Sequence, residues 1–242
     1  MKALVITANG AREVLRIEER ADPKPGPGQV RIAMCAAGIN FADLVARVGI
    51  YPDAPKPPAV VGYEVAGEVE ALGEGVNGAA AGDRVIAGTR FGGYAERAVT
   101  AAANVIPLPE GWSYEEGAAL PVSYATAKAS RSCGPRAGSW RRRLLGHDRR
   151  SPRHPAASRC WGPRRSSTRS SSCRPRAVIG LNLLTLWDDR GTLDEYIEPL
   201  REWAEAGRIR PLVAEVFPLE RGADAHRYMQ EGRNTGKVVL TV

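Results

Sequence analysis

Five residues that could hold a metal lie in one stretch of the chain: Cys133, His147, His154, Cys160 and Cys173. Zinc sites built from cysteine and histidine draw on closely spaced pairs, and no pair here has Cys-x-x-Cys or His-x-x-x-His spacing. From Arg131 to Arg176 the same stretch carries fourteen arginines, no lysine and a single acid, Asp148, for a net charge of +13. Guanidinium density of this kind is the footprint of phosphate binding, which makes nucleic acid a second candidate partner. A third reading is a GC-rich coding sequence translated out of frame, which yields Arg, Ser, Pro, Gly and Ala in abundance. The whole chain carries +7, which leaves −6 for the residues outside the stretch. A mildly acidic protein with one foreign-looking segment favours the third reading. The segment shows no helical or strand period, and its scattered apolar residues cannot offset the entropy of ordering it.

The flanks must supply whatever positions chemistry. The chain has 242 residues, room for one large domain or two small ones, and its 43% apolar content is that of an ordinary globular protein. No run approaches the roughly 20 apolar residues of a membrane span, and Met1–Thr7 lacks the pattern of a secretory signal. The expected location is cytoplasmic. Strand-like runs cover 2–7, 14–19, 29–36, 60–72, 83–87, 92–98 and 104–108, with a short helix over 40–48. Ser113-x-x-Glu116 is a capping box that opens a helix through about Tyr124. Many short strands with glycine punctuation predict a closed or nearly closed β-barrel. Beyond the segment, 177–187 reads as an apolar strand, and Thr192-x-x-Glu195 as the cap of a helix ending at Gly207. A strand over 209–217, a helix over 219–230 and a final strand over 236–242 follow.

Four motifs stand in order over residues 1–127: Gly38-Ile39-Asn40-Phe41-Ala42-Asp43, Val61-Gly62-Tyr63-Glu64-Val65-Ala66-Gly67-Glu68-Val69, Gly82-Asp83-Arg84-Val85 and Gly92-Gly93-Tyr94-Ala95-Glu96. In these the chain resembles the GroES-like catalytic domain of medium-chain dehydrogenases/reductases. Zinc-dependent members of that family carry Cys where this chain has Asn40 and His where it has Tyr63. Catalytic zinc needs three protein ligands. Of that set only Glu64 remains, and Cys35 is not at the ligand position. The Asn-Phe-x-Asp version, extended by Gly49-Ile50-Tyr51-Pro52-Asp53, is similar to zinc-independent quinone oxidoreductases. The resemblance implies hydride transfer from NADPH to a quinone or an α,β-unsaturated carbonyl, with hydrogen-bond donors meeting the charge on the acceptor oxygen. Asn40 is then the leading catalytic candidate, with Tyr51 and Tyr63 as further donors or stacking walls. The plainer alternatives are that Tyr63 packs in the place of His and that Asp43 caps the short helix.

Residues 234–240, Asn-Thr-Gly-Lys-Val-Val-Leu, resemble the C-terminus of the same enzymes. There the resemblance places Asn234, Gly236 and Lys237 at the cofactor beside Asn40 and Thr126. A surface hairpin with a solvated Lys237 is the alternative. Between the flanks a Rossmann domain is expected. Two βαβαβ halves need roughly 130–150 residues, yet only 51 lie between Thr126 and Val178, and they contain no Gly-x-Gly-x-x-Gly. The expected architecture is therefore a β-rich GroES-like barrel domain with α/β C-terminal elements and a truncated, scrambled Rossmann domain. Its parts are a catalytic domain over 1–127, an aberrant segment over 128–176, a remnant Rossmann strand over 177–190, and C-terminal helices and strands over 191–242. In the family the Rossmann edge strand joins two subunits, which here implies a homodimer between Val178 and Leu184. Two functions stay open. One is an NADPH-dependent reductase impaired or inactive in this form. The other is a non-catalytic GroES-like remnant whose basic loop contacts nucleic acid.

Overall fold

In the computed structural model, which describes residues 1–132, 183–190 and 193–242, strand β3 (Gln29–Ile39) is the element on which the others assemble. Its first half alternates buried and half-exposed residues, the signature of a sheet covered on one face. From Ala36 onward every residue is buried, because helices close over the second half. Strand β5 (Glu64–Leu72) pairs antiparallel along one edge of β3. The opposite edge is shared: β7 (Arg97–Ala101) takes Gln29–Ala33, and β10 (Lys237–Thr241) takes Ala36–Ile39. Strands β6 (Arg84–Gly88) and β8 (Val105–Pro107) extend the sheet beyond β5, and β9 (Val213–Pro218) lies parallel to β10. A second sheet holds β1 (Lys2–Ile6) between β2 (Leu15–Glu19) and β4 (Ala59–Val60). The described strands form two sheets, with β8 and β9 at the ends of the strand order of the larger, where a closed or nearly closed barrel was expected. Leu4, Ile6, Val30, Ile32, Met34, Val65 and Leu240 share the core between them.

The helices sit where the local signals put them, with changes of boundary or kind. α1 (Phe41–Val48) follows β3 directly and ends at Gly49, whose φ of +88° is the left-handed stop that glycine adopts without strain. α2 (Tyr114–Ala118) opens on the capping box, where Ser113 Oγ accepts from Glu116 N at 3.3 Å and Glu116 Oε2 accepts from Ser113 N at 3.0 Å. The helix expected to run through Tyr124 breaks after one turn, and α3 (Pro121–Ser132) restarts with proline at a position that needs no N–H. The strand expected over 60–72 is interrupted at Val61-Gly62-Tyr63, where Gly62 has φ +102°. Of the run expected over 92–98, residues 92–96 precede β7 and 97–98 belong to it, and the strand expected from residue 209 begins at Val213, past Pro211.

The remnant Rossmann strand over 177–190 is a correction of kind. Leu183–Arg190 is a helix, α4, which buries Leu184 and Leu186; residues 177–182 lie outside the described residues. A short apolar run does not tell a buried strand from a buried helix by period alone. Of the edge expected to join a homodimer between Val178 and Leu184, Leu183 and Leu184 lie in this helix and the rest lies outside the described residues. Thr192 also lies outside the described residues; α5 (Asp194–Glu205) starts after Leu193, with no side-chain cap there. α6 (Gly222–Gln230) and β10 complete the order. By contact density Met1–Ala129 and Asn182–Val242 form one unit, and Ser130–Leu181 a second. Every residue of the site below belongs to the first.

Gly38, near the end of β3, fixes how closely three elements meet. A Cβ there would stand 2.4 Å from the Ala118 carbonyl oxygen, and 2.6 Å from both Glu64 Oε1 and Lys237 Cε. Gly38→Ala is expected to lower stability by about 1–3 kcal/mol, the usual cost of overpacking, read as a lower urea midpoint at unchanged slope. A variant as stable as the parent would show that the junction yields.

Candidate active site

Lys237 is the first residue of β10, and β10 pairs with the end of β3, so its side chain meets the residues at the β3–α1 junction. It is 7% exposed, which excludes the solvated hairpin lysine. The ammonium pairs with Glu64 Oε1, donates to Asn40 Oδ1 at 2.7 Å and donates to Ser123 Oγ at 3.2 Å. Its three hydrogens are thereby used. Asn40 Nδ2 donates to Glu64 Oε1 at 2.8 Å, and the other carboxylate oxygen, Oε2, accepts from Val122 N at 2.7 Å in the first turn of α3. The amide of Asn40 has only one workable orientation, because lysine donates only and an ionised carboxylate accepts only. A buried ion pair holds when its remaining bonding capacity is met, as it is here.

Beside this centre lies a cavity of about 370 Å³, lined among others by Asn40, Phe41, Ser123, Tyr124, Asn234, Gly236 and Lys237. Four of the five expected cofactor residues, Asn40, Asn234, Gly236 and Lys237, therefore come together. Thr126 is half-buried on α3, one turn beyond Ser123, and does not line the cavity. Gly236 has φ +113°, and a Cβ there would stand 2.5 Å from the Leu212 carbonyl oxygen, so the turn that delivers Lys237 requires glycine. Tyr51 and Tyr63 are not in this cavity. Their rings meet edge-on at 6.3 Å, and Tyr63 lies 5.4 Å from the Phe91 ring. Burial, reinforced by Asp43 and Tyr51, pushes the Tyr63 hydroxyl far above an ordinary tyrosine. It is a packed phenol, and the plainer alternative for it fits.

Beneath Asn40 sits a second polar layer. Asp43 Oδ2 accepts from Asn40 N and from the Tyr94 hydroxyl, each at 2.7 Å, so Asp43 caps α1 and anchors the β3–α1 junction. Its complete burial raises its pKa to about 7 against these two bonds and the attraction of Lys237. The His226 ring lies edge-on to Tyr94 at 6.2 Å, fully buried, with no hydrogen bond to either nitrogen. Burial, and then Arg47, lowers its pKa to about 3. Glu64 and Ser123 were not singled out as site residues from sequence, and Tyr94 only as part of a motif. Ser123 stands one turn before Thr126 on the same helix face, which was the available signal.

The site thus lies in a sheet-based domain whose polar centre is closed by a strand returning from far along the chain. Residues 26–110 match the alcohol dehydrogenase GroES-like domain, and residues 156–240 match the zinc-binding dehydrogenase domain. Both are domains of the medium-chain dehydrogenase/reductase family, the family that the motifs around Asn40 and Glu64 resemble. It is 42% identical over 129 residues to the human synaptic vesicle membrane protein VAT-1 homolog, covering 52% of this chain and 33% of that relative. The chain thus spans about a third of the curated relative's length. The solved human VAT-1 homolog-like protein shares its fold with TM-score 0.77 at 22% identity, over 100% of this chain and 98% of that one. A mycobacterial quinone oxidoreductase does so with TM-score 0.71 at 22% identity, over 100% of each chain. The second domain match begins at residue 156 and so includes the end of the arginine-rich segment. That narrows the stretch outside the family pattern to residues before 156.

The donor set does not fit catalytic zinc. An amide and a phenol stand at two of the ligand positions, and a lysine cation already occupies Glu64. Among the described residues no three of His, Cys, Asp and Glu group as metal ligands.

Lys237→Met should strand the Glu64 charge and cost about 3–5 kcal/mol in urea unfolding, while Glu64→Gln/Lys237→Met recovers most of the loss. Equal losses in the single and double variants would contradict the pairing.

The pH response follows from opposite signs. Asp43, raised from 3.8 to about 7, contributes stability that is complete below its unfolded value and lost as pH rises through 7. His226, lowered from 6.5 to about 3, contributes stability that is present above its unfolded value and lost as pH falls toward 3. Each is worth on the order of 4 kcal/mol, and between about pH 4 and 6.5 they offset. His226→Leu should therefore destabilise progressively as pH rises from about 4 to 7, whereas Asp43→Asn should destabilise as pH falls through the same range. Parallel pH profiles for the two variants would refute this assignment.

Proposed function

We propose that this protein is a zinc-independent reductase that uses a reduced nicotinamide cofactor, NADPH by resemblance, to reduce a quinone or an α,β-unsaturated carbonyl. The observation that carries the reading is the Lys237 ammonium held between Glu64 and Asn40 at the edge of the cavity. An amide held in one orientation by a fixed ion pair meets developing negative charge without a metal and without reorganising at the moment of reaction. The cavity is of the size that holds a small ligand, and Asn40, Asn234, Gly236 and Lys237 would hold the nicotinamide end. NADPH would supply a hydride there, and the negative charge left on the acceptor oxygen is what Asn40 would meet. Asn40 keeps one amide hydrogen uncommitted for that oxygen, while Glu64 and Lys237 lock the amide in the donating orientation. The short connection between Thr126 and Val178, without a glycine-rich phosphate turn, supports slow turnover and weak cofactor affinity.

Oxidation of NADPH by the full chain with para-benzoquinone tests the reading. Saturable turnover that survives dialysis against a chelator is expected, and Asn40→Ala should lower kcat/KM about a hundredfold. Turnover abolished by chelation and restored by zinc would overturn zinc independence. No saturable oxidation at all would leave a non-catalytic module.

A further inference from the structure

Lys237 cannot itself donate to a ligand, because its three hydrogens go to Glu64, Asn40 and Ser123. Ser123 can. Its Oγ accepts from the ammonium, which leaves the hydroxyl hydrogen uncommitted, and the residue is exposed and lines the cavity. A hydroxyl whose oxygen accepts from a cation becomes a stronger donor through its own hydrogen. Ser123 lies in the first turn of α3, where the helix dipole also favours negative charge. Val122 N, bonded to Glu64 Oε2, holds this turn against the ion pair and fixes where the hydroxyl stands.

We propose that Ser123 and Asn40 together form a site for an anionic oxygen of phenolate or enolate type, with the Ser123 hydroxyl carrying the polarisation of Lys237 outward to the ligand. The proposal rests on the reductase reading, since a quinone that has accepted hydride is a hydroquinone monoanion, a phenolate. Ser123 donates a hydrogen bond only. No bond to the protein forms or breaks, and Lys237 stays charged throughout.

Para-nitrophenol, whose phenolate absorbs distinctly from the phenol, tests this in the full chain without cofactor or turnover. The chain is expected to bind the phenolate and to lower the apparent ionisation pH of the bound probe. Ser123→Ala should weaken phenolate binding about tenfold, the share of one hydrogen bond to a charged group. Ser123→Thr should restore it, and nitrobenzene, which lacks the oxygen, should bind all three proteins alike. The proposal is overturned if the phenolate does not bind, if Ser123→Ala binds it as the parent does, or if that variant loses phenolate and nitrobenzene equally. A chain that binds the phenolate in this way yet oxidises no NADPH sinks the reductase reading alone.

Discussion

The contact between Lys237 and Glu64 is the constraint around which the described structure is arranged. Two opposite charges removed from water are tolerated only when every remaining lone pair and hydrogen finds a partner. The pair, at the start of β5 and the first residue of β10, finds them in two places: Asn40 just past the end of β3 and the first turn of α3. Each element owes its position partly to that need. A Cβ at Gly38 would clash with both members of the pair, and Gly236 is left-handed so that Lys237 can enter the site from the turn.

A second layer makes the first rigid. Asp43 holds Asn40 by its backbone while Glu64 and Lys237 hold the same residue by its side chain. Asn40 is thus fixed from both ends, as a donor must be to meet charge without reorganisation. Tyr94 ties Asp43 to the loop after β6, and His226 ties Tyr94 to α6 by ring packing alone. Groups so deeply buried are kept neutral or paired by their surroundings. Tyr63 belongs to neither layer. It fills space between Tyr51 and Phe91.

Much of this was legible in the sequence, and the gaps have physical causes. Local signals were reliable where local energetics decide: the Ser113–Glu116 box, the glycine stop after α1 and the alternation along β3. They failed where tertiary context decides. Nothing in 183–190 distinguishes a buried helix from a buried strand, and nothing in 60–72 shows that Gly62 turns the chain. The motif around Asn40 pointed to the right junction. Glu64 was seen as a remnant of a metal site and Lys237 as part of a cofactor turn, and only their meeting shows that each explains the other. That meeting is a contact across 173 positions, beyond any periodicity.

The shared edge of β3 has a consequence for how the molecule comes into being. β7 can pair with β3 early, but Ala36–Ile39 must wait for β10, and the Asn40–Lys237 bond spans 197 residues. Until then Glu64 has no counter-ion, and the emerging chain carries an unzipped strand half beside an unneutralised acid. Contacts of such separation make for slow closure and a long exposure to wrong partners. The entropy of closing the intervening loop grows only logarithmically with its length, roughly 0.6 kcal/mol per doubling. Shortening the middle of the chain therefore changes the closure of this site very little, while everything that middle must do for itself depends on it directly.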